Sequence, residues 1–128
     1  MAAVGPNDTV FDLGSGDGRL LIESAKGRGA RAVGIEADPL RVAWSRMMIA
    51  KAGVGQRARV IWGNFFHTNI ADASVITLFL MKGTNARLKT KFATELRPGT
   101  RIVSHEWRIE GWSPVEEDEE RKVYLYVR

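Results

Sequence analysis

A doubly wound, mostly parallel α/β sheet with antiparallel strands at one edge is the fold class that this 128-residue sequence predicts. Three observations carry that expectation. Short apolar runs of strand length alternate with helical patterns, which is the signature of βα units. A glycine-rich turn stands directly between the first run and the first helix. The longest apolar stretch, residues 75–81 with Thr77 inside it, is the size of a strand and too short to span a bilayer.

The elements follow in order. Val10, Phe11 and Leu13 form the first strand, which ends in glycines at alternate positions, Gly14, Gly16 and Gly18. A helix over 20–28 follows, stopped by Gly27 and Gly29, and residues 32–36 read as strand two. Asp38 caps a helix over 39–52 with Pro39 at its first position. Leu40, Ala43, Trp44 and Met47 fall at i, i+3, i+4 and i+7, so they are the face expected to pack on the sheet. Strand three is 58–62 and strand four 73–80, the latter a central buried run by its β-branched and aromatic content. Thr84 caps a helix over 85–96, with Leu88, Phe92 and Leu96 inside and Lys89 and Lys91 outside; Arg97-Pro98-Gly99 ends it. Strand five is 100–107, residues 111–114 are a turn, the acidic run 116–120 a loop, and 122–128 a final antiparallel strand. A single domain over residues 1–128 is expected.

Composition narrows the chemistry. The net charge of +4 is dispersed among separated arginines and lysines, so nucleic acid is not the expected partner. The absence of cysteine removes disulfides, thiolate zinc sites and the covalent thiol route to pyrimidine C5. No metal site is expected. The first residues lack the pattern of a secretory signal, and a cytoplasmic setting is expected.

The glycine turn points to a cofactor. A dinucleotide fingerprint needs its third glycine where Arg19 stands, and no P-loop sequence is present. What remains is Asp12-Leu-Gly-Ser-Gly-Asp-Gly18. A carboxylate at Asp12 would repel a pyrophosphate but suits a ligand with an ammonium and a sulfonium group, such as S-adenosylmethionine (SAM). Glu36, at the end of strand two, stands where a ribose diol is gripped. The expected cofactor-facing set is therefore Asp12, Gly14, Ser15, Gly16, Asp17, Gly18, Glu36 and Ala37.

These residues resemble the class I, seven-strand SAM-dependent methyltransferases, which implies a Rossmann-like sheet. Together with Asp72 and residues 75–80, 96–100 and 103–105, and Gly111-Trp112, they are similar to the small archaeal and mitochondrial protein-lysine methyltransferases that act on the ATP synthase c-subunit and the adenine nucleotide translocase. Two departures stand out. The sequence starts nine residues before strand one, so the expected fold is truncated at the N-terminus, and Met81-Lys82-Gly83 replaces the proline often found after strand four. The resemblance implies that Asn64 accepts from the adenine amine, that Phe65 covers its ring, and that Leu80 borders the site. It also implies an acceptor arriving between Phe79, Leu80 and Met81 and the segment His105-Glu106-Trp107. Phe79, His105 and Glu106 are the candidate catalytic residues at that mouth. The acceptor expected is a protein lysine. A small-molecule methyltransferase, or a SAM-binding module inactive alone, stays open, as does a homo-oligomer covering the open cofactor face.

Overall fold

The computed structural model describes residues 3–79, 85–106, 108–109 and 111–128, with backbone only for Phe79, Asn85 and Ala86. Seven strands form one sheet: β1 (Thr9–Leu13), β2 (Arg31–Glu36), β3 (Ala58–Trp62), β4 (Val75–Phe79), β5 (Arg101–His105), β6 (Glu116–Asp118) and β7 (Val123–Val127). Their order is β3-β2-β1-β4-β5-β7-β6. The first five run parallel, and β7 and β6 join antiparallel at one edge. Helices α1 (Arg19–Gly27), α2 (Pro39–Ala52) and α3 (Asn85–Glu95) fill three of the crossovers, and a 3-10 turn (Phe65–His67) stands between β3 and β4.

Strand alternation divides the core into two layers. Phe11, Leu13, Val33, Ile35, Ile76, Leu78, Ile102, Tyr124 and Tyr126 face α3, whose Leu88, Phe92 and Leu96 seal that side. On the other face Ala32, Ala58 and Val60 meet Leu21 and Ala25 of α1 and Val42 and Ile49 of α2. Ligands bind at the carboxyl ends of the parallel strands in such sheets.

Three expectations fail, each for a physical reason. Trp44 and Met47 are not core; they are 52% and 53% exposed, while Val42, Ser45 and Ile49 face the sheet. Helix α2 is apolar on both sides, and its phase is set by Ser45, the small residue that fits against Gly18 and hydrogen-bonds the glycine turn. The acidic run is not wholly loop: Glu116–Asp118 form β6 against β7. Charged side chains on an edge strand discourage pairing with further chains, so strand propensity yields there to position. Lys91 is not on the outside of α3 but 7% exposed, its ammonium bonded to Thr68 O (2.7 Å), Glu95 Oε2 (2.7 Å) and Phe66 O (3.4 Å).

Candidate active site

The site grows from the turn after β1. Gly14, Gly16 and Gly18 have φ of +79°, +58° and +80°, a region that costs an L side chain strain. Among the described residues, none would lie within 4 Å of a Cβ at Gly14 or Gly16, so this backbone can be approached closely. Gly14 N–H donates to Ile35 O (2.8 Å) and fixes the bend against β2. From behind, Ser45 Oγ donates to Gly16 O (2.6 Å). Gly34 lets the turn sit close, since a Cβ there would lie 2.6 Å from Leu21 Cδ1 and Ser15 Cβ.

Two carboxylates frame the bend. Glu36 is 7% exposed; Oε1 accepts from Gly16 N–H (2.8 Å) and Oε2 from Asp38 N–H (3.0 Å). Each oxygen keeps a lone pair free for further donors, such as a diol. Asp12 is buried on β1 and accepts from Thr77 Oγ1 (2.9 Å). Burial pushes its carboxyl pKa up to about 7 against the bond from Thr77, and the nearby charges of Glu36 and Asp17 add to the rise. Ser15 Oγ is buried and finds no partner among the described residues. Asp17 is exposed, accepts from Arg19 N–H (3.0 Å) and faces the Arg19 guanidinium (3.4 Å).

Beyond Glu36 a cavity of about 570 Å³ opens, lined by Gly14, Glu36, Ala37, Asn64, Phe65 and, opposite, Leu78, among others. Ala37 and the half-buried Phe65 therefore stand together on its wall. Asn64 is already occupied in part: its Oδ1 accepts from Phe66 N–H (2.8 Å) and caps the 3-10 turn. Its remaining lone pair and its amide donors are what it can offer a base edge. The cavity also includes residues the sequence did not single out. Arg41 comes from α2, and Arg87 lies over the Phe66 ring, 3.8 Å from the centroid. No short motif announces them; they arrive through the crossovers.

The proposed acceptor side is less complete. Leu80, Met81 and Trp107 lie outside the described residues, as does the side chain of Phe79. The β4–β5 register sets Phe79 beside His105. His105 is half-buried, and burial lowers its imidazole pKa although Glu106 opposes the shift. Glu106 is exposed at φ +77°, held there by its N–H donating to Lys122 O (2.7 Å). A non-glycine residue in that region stores strain, which concentrates at functional sites.

The bend, the close approach it allows and the acidic frame fit a nucleoside with a cationic amino-acid tail. An orphaned hydroxyl at Ser15 and an acid of raised pKa at Asp12 are groups a cationic, hydrogen-bonding ligand would satisfy.

Comparison with known proteins agrees with that geometry. Residues 12–116 match the family model described as the ANTKMT methyltransferase domain. A "Protein-lysine N-methyltransferase" of Saccharolobus islandicus (strain REY15A) is 46% identical over 99% of this chain and 83% of its own length. A mouse lysine N-methyltransferase named for the ATP synthase c-subunit is 33% identical over 82% of this chain, which spans only 42% of that protein. Among solved structures, an RNA methyltransferase from Salinibacter ruber in complex with S-adenosyl-L-homocysteine superposes with a TM-score of 0.94, at 38% identity, over 98% of this chain and 84% of the other. The chain belongs to the ANTKMT methyltransferase family and is a SAM-dependent methyltransferase.

Proposed function

We propose that the acceptor is a lysine side chain of a protein. The observation that carries this reading is the 46% identity, over nearly the whole chain, to an enzyme named for that acceptor. The name of the Salinibacter ruber structure supports a second reading, RNA as acceptor.

SAM supplies a methyl carbon on a sulfonium whose leaving group needs no acid. The protein's task is positioning and dehydration. On this reading Glu36 would hold the ribose hydroxyls, the Gly14–Gly18 backbone would receive the amino-acid tail, and an ionised Asp12 would face its positive charge. Asn64 and Phe65 border the base. A lysine must arrive uncharged, and deprotonation at pH 7 costs about 4–5 kcal/mol from a pKa near 10.4. Removing the acceptor amine from water beside the half-buried His105 would lower that cost. We assign His105, whose imidazole pKa burial lowers, and the exposed Glu106 to orient the amine or take its proton through water. Phe79, whose backbone lies in register with His105, is the residue we assign to the β4 side of the mouth.

Incubation with methyl-labelled SAM and a whole-cell extract, followed by acid hydrolysis, tests the acceptor. Label recovered as methyl-lysine supports the proposal. Label that nuclease treatment releases, with none in amino acids, overturns it in favour of the RNA reading. Label only in small molecules returns the assignment to a small-molecule methyltransferase.

A further inference from the structure

The outward ridge of α2 is apolar. Leu40, Trp44 and Met47 repeat at i, i+4 and i+7, are 80%, 52% and 53% exposed, and point away from the buried Val42, Ser45 and Ile49. Trp62, 64% exposed, stands at the same end as Leu40, because its Nε1 donates to Ala37 O (3.0 Å) just before the helix begins. Cations outnumber acids around this ridge. Helices α1 and α2 carry Arg19, Lys26, Arg41, Arg46 and Lys51 against Glu23, with Arg19 paired to Asp17 and Arg46 donating to Val60 O (3.0 Å). The capping Asp38 is engaged by Leu40 N–H and lies 3.9 Å from Arg41. The acidic strand β6 lies at the opposite edge of the sheet.

We propose that this face docks on the surface of an anionic lipid bilayer. The ridge of α2 enters the boundary between headgroups and acyl chains, and the flanking cations meet the phosphates. A helix with an apolar ridge, an indole and mainly basic flanks has the composition of an interfacial helix. Its 14 residues reach about 21 Å, so it lies on the membrane and does not span it. Neither of the other occupants of such a face fits as well. A second copy placed symmetrically would oppose two cationic faces. A nucleic acid strand would meet aliphatic side chains at the most protruding line, where phosphates need cations.

The orientation has a consequence for the enzyme. Leu40 and Trp62 stand at the carboxyl ends of the strands, beside Ala37 and Arg41, which line the cofactor cavity. Docking through α2 brings that rim to the bilayer and favours acceptors held at its surface. The proposal does not depend on the lysine reading, since binding is measured without an acceptor.

Flotation with phosphatidylcholine vesicles, with and without phosphatidylglycerol, is the test. The wild-type protein is expected to float with the anionic vesicles, weakly with the neutral ones, and less as salt rises. Trp44→Ser combined with Met47→Ser lowers vesicle affinity at least about tenfold, while thermal stability and S-adenosylhomocysteine affinity hold. Lys51→Glu, away from the apolar ridge centre, gives a smaller loss that disappears at high salt. No flotation of the wild type at low salt overturns the proposal, as does flotation unchanged by both variants. A dimer in sedimentation that the double variant dissolves, without vesicle binding, assigns the ridge to a second copy instead.

Discussion

Asp12 and Gly34 show what single positions contribute. The Asp12 carboxyl, raised from 3.8 to about 7, binds its proton more tightly in the folded chain than in the unfolded one. Its contribution to stability is therefore full below about pH 4 and is lost as pH rises through about 7. A cationic ligand reverses the balance, because it favours the ionised form. SAM affinity is expected to rise as pH passes through about 7, and titrations across roughly pH 5.5–8.5 should show this dependence flattened in Asp12→Asn. An affinity with the same pH dependence in both proteins would remove Asp12 from the site. Gly34→Ala forces a methyl to 2.6 Å from Leu21 and Ser15, and about 1–3 kcal/mol of destabilisation is expected in denaturant unfolding. The acidic frame and the three glycines were readable in sequence because turn chemistry is local. Gly34, Ser45 and Arg87 were not, since their roles come from partners distant along the chain.

At the scale of elements, α3 and the loop after β3 are tied by one buried side chain. Lys91 bonds the carbonyls of Phe66 and Thr68, and Glu95, its partner, also accepts from Ile70 N–H (3.3 Å). The clamp holds the segment that carries Asn64 and Phe65 at the cavity. Lys91→Met leaves those acceptors unanswered and is expected to cost about 1–3 kcal/mol. Its kinetic effect should fall on the KM for SAM more than on kcat, a split that steady-state assays resolve. Sequence patterning located α3 and its Leu88–Phe92–Leu96 face, yet put Lys91 outside, because a long cationic side chain near the buried stripe carries no periodic mark of its acceptors. Helix α2 shows the opposite failure. Two apolar stripes compete there, and the larger side chains, Trp44 and Met47, belong to the outer one. Burial was decided by the fit of small Ser45 against the glycine turn, which hydrophobic periodicity does not weigh.

Over the whole molecule, the sheet order β3-β2-β1-β4-β5-β7-β6 collects at one end what the chain scatters across 12–105. Alternating strands and helices were enough to read the parallel core and the antiparallel edge. The three-residue β6 escaped because acidic residues disfavour strands, and only pairing with β7 defines it. Charge shows the same limit. Arginines that look dispersed along the sequence gather at the β2–β3 edge, while the acidic run lies at the far one. The central claim is that the bend after β1, with Glu36 fastened to it, holds the adenosyl cofactor. Calorimetric titration of the wild type and Glu36→Gln with S-adenosylhomocysteine tests it most directly. One molecule bound per chain, with affinity at least about tenfold weaker in the variant, is the predicted result. No heat of binding in the wild type, or equal affinity in a folded variant, would contradict it.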